Sequence, residues 1–77
     1  MLNAAIGHTI RDLRQKKKYS LRQLSMKSCV SMGYISDIER GEKSASEKVL
    51  EAIASGLSLT TTELIGEIYE YLKEQSE

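Results

Sequence analysis

In residues 30–41, VSMGYISDIERG, the residues Met32, Gly33, Ser36, Asp37 and Arg40 share the side of a helix opposite Ile35 and Ile38. Their groups are a thioether, a bare backbone, a hydroxyl, a carboxylate and a guanidinium. Set side by side, they suit recognition by hydrogen bond, ion pair and apolar contact. The rest of the chain offers no Ser/His/Asp set and no phosphate loop, so an enzyme is not expected. His8 and Cys29 are the single histidine and the single cysteine. One of each excludes an intrachain disulfide and a zinc site, and no metal, cofactor or small-molecule ligand is expected. Cys29 reads as a small turn residue, with a redox role as its rival, and His8 as a surface residue.

The length of 77 residues suits one small domain, 1–77, with a modest core. No long apolar run follows Met1. No signal peptide or membrane span is therefore predicted, and the expected compartment is the cytoplasm. The net charge of zero conceals a polarity. Residues 1–40 hold eight Lys/Arg and three Asp/Glu, a net of +5, while residues 41–77 hold three and eight, a net of −5. Such asymmetry points to one half facing a polyanion and one half turned away from it.

Short helices must position these residues, because strand-like alternation is absent. The first is expected over about 4–17, with Ile6, Ile10 and Leu13 as its apolar stripe and Lys16, Lys17 and Lys18 at its negative end. Ser20 and Gln23 form a capping box that starts the second, with Tyr19 and Leu24 as hydrophobic staple. The second helix ends near Lys27 or Ser28. Ser31 caps the third and Gly41 lies just past its end. Ser44 and Glu47 have the spacing of another capping box for the fourth, with Ser46 as the alternative start and Gly56 as terminator. Thr60 and Glu63 form a third box, opening a fifth helix that reaches nearly to the C-terminus.

Only about three residues join the second helix to the third, which are the parts of a helix-turn-helix. In that motif the first helix crosses the DNA backbone and the second enters the major groove. Arg22 and Lys27 suit phosphate contact, and Met32 suits a thymine methyl group. Asp37 can accept from a cytosine amino group or repel a wrong sequence.

The stretch LRQLSMKSCVSMGYISDIERG resembles the helix-turn-helix of the Xre/Cro family, and the I-S-x-I-E-R-G ending preceded by V-S is specific to it. Within that family, GYISDIERGEKSASEKVLEAIASGL is most similar to the Clp gene regulators. The resemblance covers about residues 5–66. It implies an all-α, five-helix, lambda-repressor-like bundle that binds double-stranded DNA. It further implies that Ser31, Met32 and Gly33 read bases or grip phosphate. Ser36 and Asp37 would face the groove, Tyr34 would rest near the sugar-phosphate backbone, and Arg40 would face phosphate. Tyr34 also reads as an aromatic at the core edge, and both readings stand at this point. An ion pair between Arg14 and Glu39 is implied as well. The family often has Gly where this chain has Lys18 and Cys29, and a non-Gly residue at positive φ costs about 1 kcal/mol.

Glu63, Glu67, Glu70, Glu74 and Glu77 give the last helix an acidic face, which cannot lie on DNA. Its Ile65, Ile68, Tyr69 and Leu72 exceed what so small a core needs, which predicts a two-fold homodimer contact. The expected function is a transcriptional regulator binding an inverted-repeat operator as a dimer, through the third helix in the major groove. The alternative is a protein-interaction module, an antitoxin or adaptor, on the same fold.

Overall fold

Four side-chain oxygens start four of the five helices. The computed structural model describes residues 2–76, and its helices are α1 (Leu2–Lys16), α2 (Leu21–Ser28), α3 (Met32–Glu39), α4 (Glu47–Gly56) and α5 (Thr61–Gln75). Ser20, Ser31, Ser46 and Thr60 accept from the backbone N–H three residues on, satisfying a donor that the first helical turn leaves open. At Ser20 and Thr60 the reciprocal bonds to Gln23 and Glu63 complete the capping boxes. The box expected at Ser44 does not form. Ser46 caps α4 instead, because Glu47 stands at its first position rather than its third. Ser44 Oγ accepts from Asn3 Nδ2 at 3.3 Å.

Left-handed residues follow α1, α2, α3 and α4. Lys18, Cys29 and Ser58 have φ of 62°, 61° and 62°, and Gly41 has φ of 74°. After α1, α3 and α4 the chain closes a Schellman motif, with Tyr19 N–H bonded to the Arg14 carbonyl, Glu42 to Asp37 and Leu59 to Ala54. Gly56 does not make the reversal expected of it. It is the last buried residue of α4, and Ser58 turns the chain. A Cβ on Gly56 would stand 3.0 Å from Ser28 Cβ, so its bareness lets α4 lie close to α2.

The core joins Ile10 of α1, Leu24 of α2, Ile35 and Ile38 of α3, Ile53 and Ala54 of α4, Leu57, and Leu64 and Ile68 of α5. The described residues form five α-helices, as the sequence predicts. Ile68 is only 6% exposed, which removes it from the surface patch expected for a dimer. Leu72 also packs against this core. Of the four apolar residues assigned to that patch, Ile65 and Tyr69 are the exposed pair, at 52% and 59%. Helices α1 and α4 both pack on α5 and cover the side that carries Ile68 and Leu72. No helix among the described residues is long and apolar enough to cross a membrane.

Candidate nucleic-acid interface

The turn between α2 and α3 is held by two serines. Ser25 Oγ donates to the Val30 carbonyl at 2.6 Å. Ser28 Oγ donates to the Leu24 carbonyl and accepts from Val30 N–H. Cys29 takes the left-handed turn between them and is exposed, while Val30 is buried. These contacts fix α3 relative to α2 without a glycine in the turn.

A second contact fixes α3 against α1. Arg14 Nε donates to Glu39 Oε2 at 2.7 Å and its Nη2 donates to Oε1 at 2.9 Å, a bidentate pair. Nη1 donates to the Tyr19 carbonyl at 2.9 Å. Both side chains are nearly buried, at 12% and 6% exposure. Glu39 holds the Arg14 guanidinium pKa above its ordinary value, against the opposing effect of burial. Gly7 permits the close approach that the pair needs. A Cβ there would stand 2.1 Å from the Ile38 carbonyl oxygen and 2.8 Å from that of Glu39. Gly7 carries no motif and no helix-ending signal, and nothing in the sequence singles it out.

Held this way, α3 buries Ile35 and Ile38, rests Tyr34 against the core and Glu39 against Arg14, and leaves its N-terminal end open. Ser31, Met32 and Gly33 are exposed at its start, and no heavy atom would meet a Cβ on Gly33. Ser31 is engaged as the cap, accepting from Tyr34 N–H at 3.2 Å. Tyr34 is half-buried against the core, and its hydroxyl donates to the Ser44 carbonyl at 2.9 Å. It therefore ties α3 to the loop before α4, the role of a residue at the core edge. Arg22 and Lys27 are exposed on α2, and the Lys27 ammonium lies 5.0 Å from the centre of the Tyr19 ring.

At the far end of α3 the charges are tied to one another. Arg40 Nη2 donates to Asp37 Oδ1 at 2.6 Å and to Glu42 Oε1 at 3.2 Å, and Nη1 donates to Ser36 Oγ. Lys43 Nζ lies 3.4 Å from Asp37 Oδ2. Glu42 foremost, and Asp37 with it, raise the Arg40 guanidinium pKa. Glu42 and Lys43 are additions to the residues singled out from sequence. The i, i+3 spacing of Asp37 and Arg40 was a signal for part of this network. His8, by contrast, stacks on Tyr71 of α5 with ring centres 4.4 Å apart, away from α3. Among the described residues no cluster of three or more His, Cys, Asp or Glu is disposed to hold a metal ion.

Comparison with known proteins places this geometry among regulators. Residues 10–64 match the helix-turn-helix family. The transcriptional regulator ClgR of Mycobacterium tuberculosis is 37% identical over 59 residues, covering 77% of this chain and 53% of that protein. The chain spans about half the length of the curated relatives it matches. The crystal structure of the clp gene regulator ClgR from Corynebacterium glutamicum superposes with a TM-score of 0.88 at 32% identity, over 99% of this chain and 81% of that one. The wild-type restriction-modification controller protein C.Esp1396I superposes with a TM-score of 0.86 at 26% identity, over 94% of this chain and 92% of its own.

Proposed function

Because the chain belongs to the helix-turn-helix family, in its Xre/Cro-type branch with similarity to Clp gene regulators, we propose that it is a DNA-binding transcriptional regulator. One observation carries the reading. Helix α3 is anchored by Ile35 and Ile38, with Tyr34 at the core edge and Glu39 paired to Arg14, and it leaves Met32 and Gly33 and its caps Ser31 and Arg40 exposed. In this reading α3 enters the major groove and Arg22 and Lys27 of α2 meet phosphates. Met32 offers apolar contact to a thymine methyl group, and Ser36 hydrogen-bonds a base edge.

The active form in this reading is a two-fold dimer on an inverted-repeat operator. Ile65 and Tyr69 supply the exposed apolar contact on α5, and the two α3 helices stand about 34 Å apart, one DNA turn. The acidic residues of α5 then lie away from the phosphates. Sites selected from a pool of random duplexes should share an inverted repeat, and affinity for random duplex should fall steeply with salt. Salt-independent binding, or none, would instead favour a protein-interaction module on the same fold. Sedimentation of the free protein tests the dimer. Ile65→Glu with Tyr69→Glu should shift it to monomer and weaken operator binding, and a wild-type chain that stays monomeric at high concentration would refute that contact.

A further inference from the structure

The charges at the end of α3 cancel. Arg40 and Lys43 are the cations there, Asp37 and Glu42 are the carboxylates, and each cation lies within 3.4 Å of at least one carboxylate oxygen. Both oxygens of Asp37 face a cation, Oδ1 toward Arg40 and Oδ2 toward Lys43. Arg22 and Lys27 on α2 differ in kind. Neither has a carboxylate within ion-pair distance among the described residues. The motif thus holds unpaired cations on α2 and a neutralised set at the end of α3. Taken singly, each of these partly exposed pairs contributes little to folding.

We infer that Asp37 and Glu42 are specificity determinants: they act as built-in counter-ions that compete with DNA phosphate for Arg40 and Lys43 and so suppress binding to non-cognate duplex. The inference rests on the proposed DNA-binding reading. A phosphate that pairs with Arg40 competes with both carboxylates for it, and displacement leaves Asp37 with Lys43 alone and its Oδ1 without a cation. On a site that presents a donor, such as a cytosine amino group in the major groove, Asp37 regains a partner. On other sites Asp37 Oδ1 stays without a partner beside phosphate, and the difference between these cases is discrimination. Arg22 and Lys27 hold any duplex, while the α3 end admits few.

The test uses the full chain as wild type, Glu42→Gln, Asp37→Asn and the control Glu67→Gln, which removes an equal charge on α5. Each is titrated by fluorescence anisotropy with a random duplex and with a duplex selected by the wild type, between about 50 and 200 mM salt. Glu42→Gln and Asp37→Asn should bind the random duplex about three- to tenfold more tightly at the lower salt. The slope of log affinity against log salt should steepen by about 0.9. The preference for the selected duplex should fall, and Glu67→Gln should change none of these. Glu42 lies on an exposed loop, so its variant carries the test if Asp37→Asn fails to fold. An unchanged random-duplex affinity would overturn the inference, as would an equal gain on both duplexes or an equal gain from Glu67→Gln. A wild type that binds no duplex would instead overturn the DNA-binding reading on which it rests.

Discussion

Replacing Glu39 with Ala should unfold much of the protein's stability margin. The substitution removes the acceptors of two Arg14 donors, at 2.7 and 2.9 Å, and leaves a guanidinium that is 12% exposed with one bond, to the Tyr19 carbonyl. Removing one partner of a buried pair costs about 3–5 kcal/mol, because the remaining charge is uncompensated. In a domain of this size each kcal/mol lowers Tm by about 4–8 °C, so the melt should fall by about 12 °C or more. The pair's worth is a separate quantity. Arg14→Leu with Glu39→Leu removes both charges and should recover most of the loss, since two apolar groups leave nothing to solvate. The pH dependence has a definite sign. Glu39 raises the Arg14 pKa, so the folded state holds that proton more tightly than the unfolded state. The contribution of Arg14 is therefore complete below the ordinary guanidinium range and is lost only as pH rises through the raised value. Thermal melts by circular dichroism at neutral pH decide the matter. A Glu39→Ala melt within a few degrees of wild type, or a double variant no more stable than the single one, would refute this account of how α3 is held.

Gly7→Ala should destabilise by about 3 kcal/mol, at the upper end of overpacking, because its Cβ would meet the backbone oxygens of Ile38 and Glu39 rather than a yielding side chain; a denaturant titration reads it. Cys29→Gly should stabilise by up to about 1 kcal/mol by relieving a left-handed non-Gly residue, again by denaturant midpoint. Lys27→Ala should weaken binding to all duplexes alike and reduce the salt slope by about 0.9, whereas Met32→Ala or Ser36→Ala should change preference at one base position by about 1–3 kcal/mol. Binding to a panel of operator variants separates the two behaviours, and an unchanged preferred site in both groove variants would remove α3 from base reading.

The starts of α2 and α5 were legible in the sequence because a capping box closes within three residues, whatever lies elsewhere: Ser20 with Gln23, Thr60 with Glu63. The burial of Ile35 and Ile38 was legible for a similar reason, since helical spacing alone puts them on one face. Arg14 and Glu39 are 25 residues apart, and the Xre/Cro resemblance rather than any local pattern pointed to their pairing. Where two local signals competed, tertiary structure chose. Ser46 prevailed over Ser44, which bonds α1 through Asn3 and receives the Tyr34 hydroxyl at its carbonyl. The apolar residues of α5 were visible as a set, but only the packing of α1 and α4 against it decided that Ile68 enters the core while Ile65 and Tyr69 stay outside. Gly7 and Gly56 show the same limit. A glycine's missing side chain matters through what would occupy that space, and at both sites the neighbour belongs to another helix, α3 for Gly7 and α2 for Gly56. Caps and periodicity act through a few covalent bonds, so one segment is enough to reveal them; burial, close approach and long-range ion pairs exist only once separate segments have met.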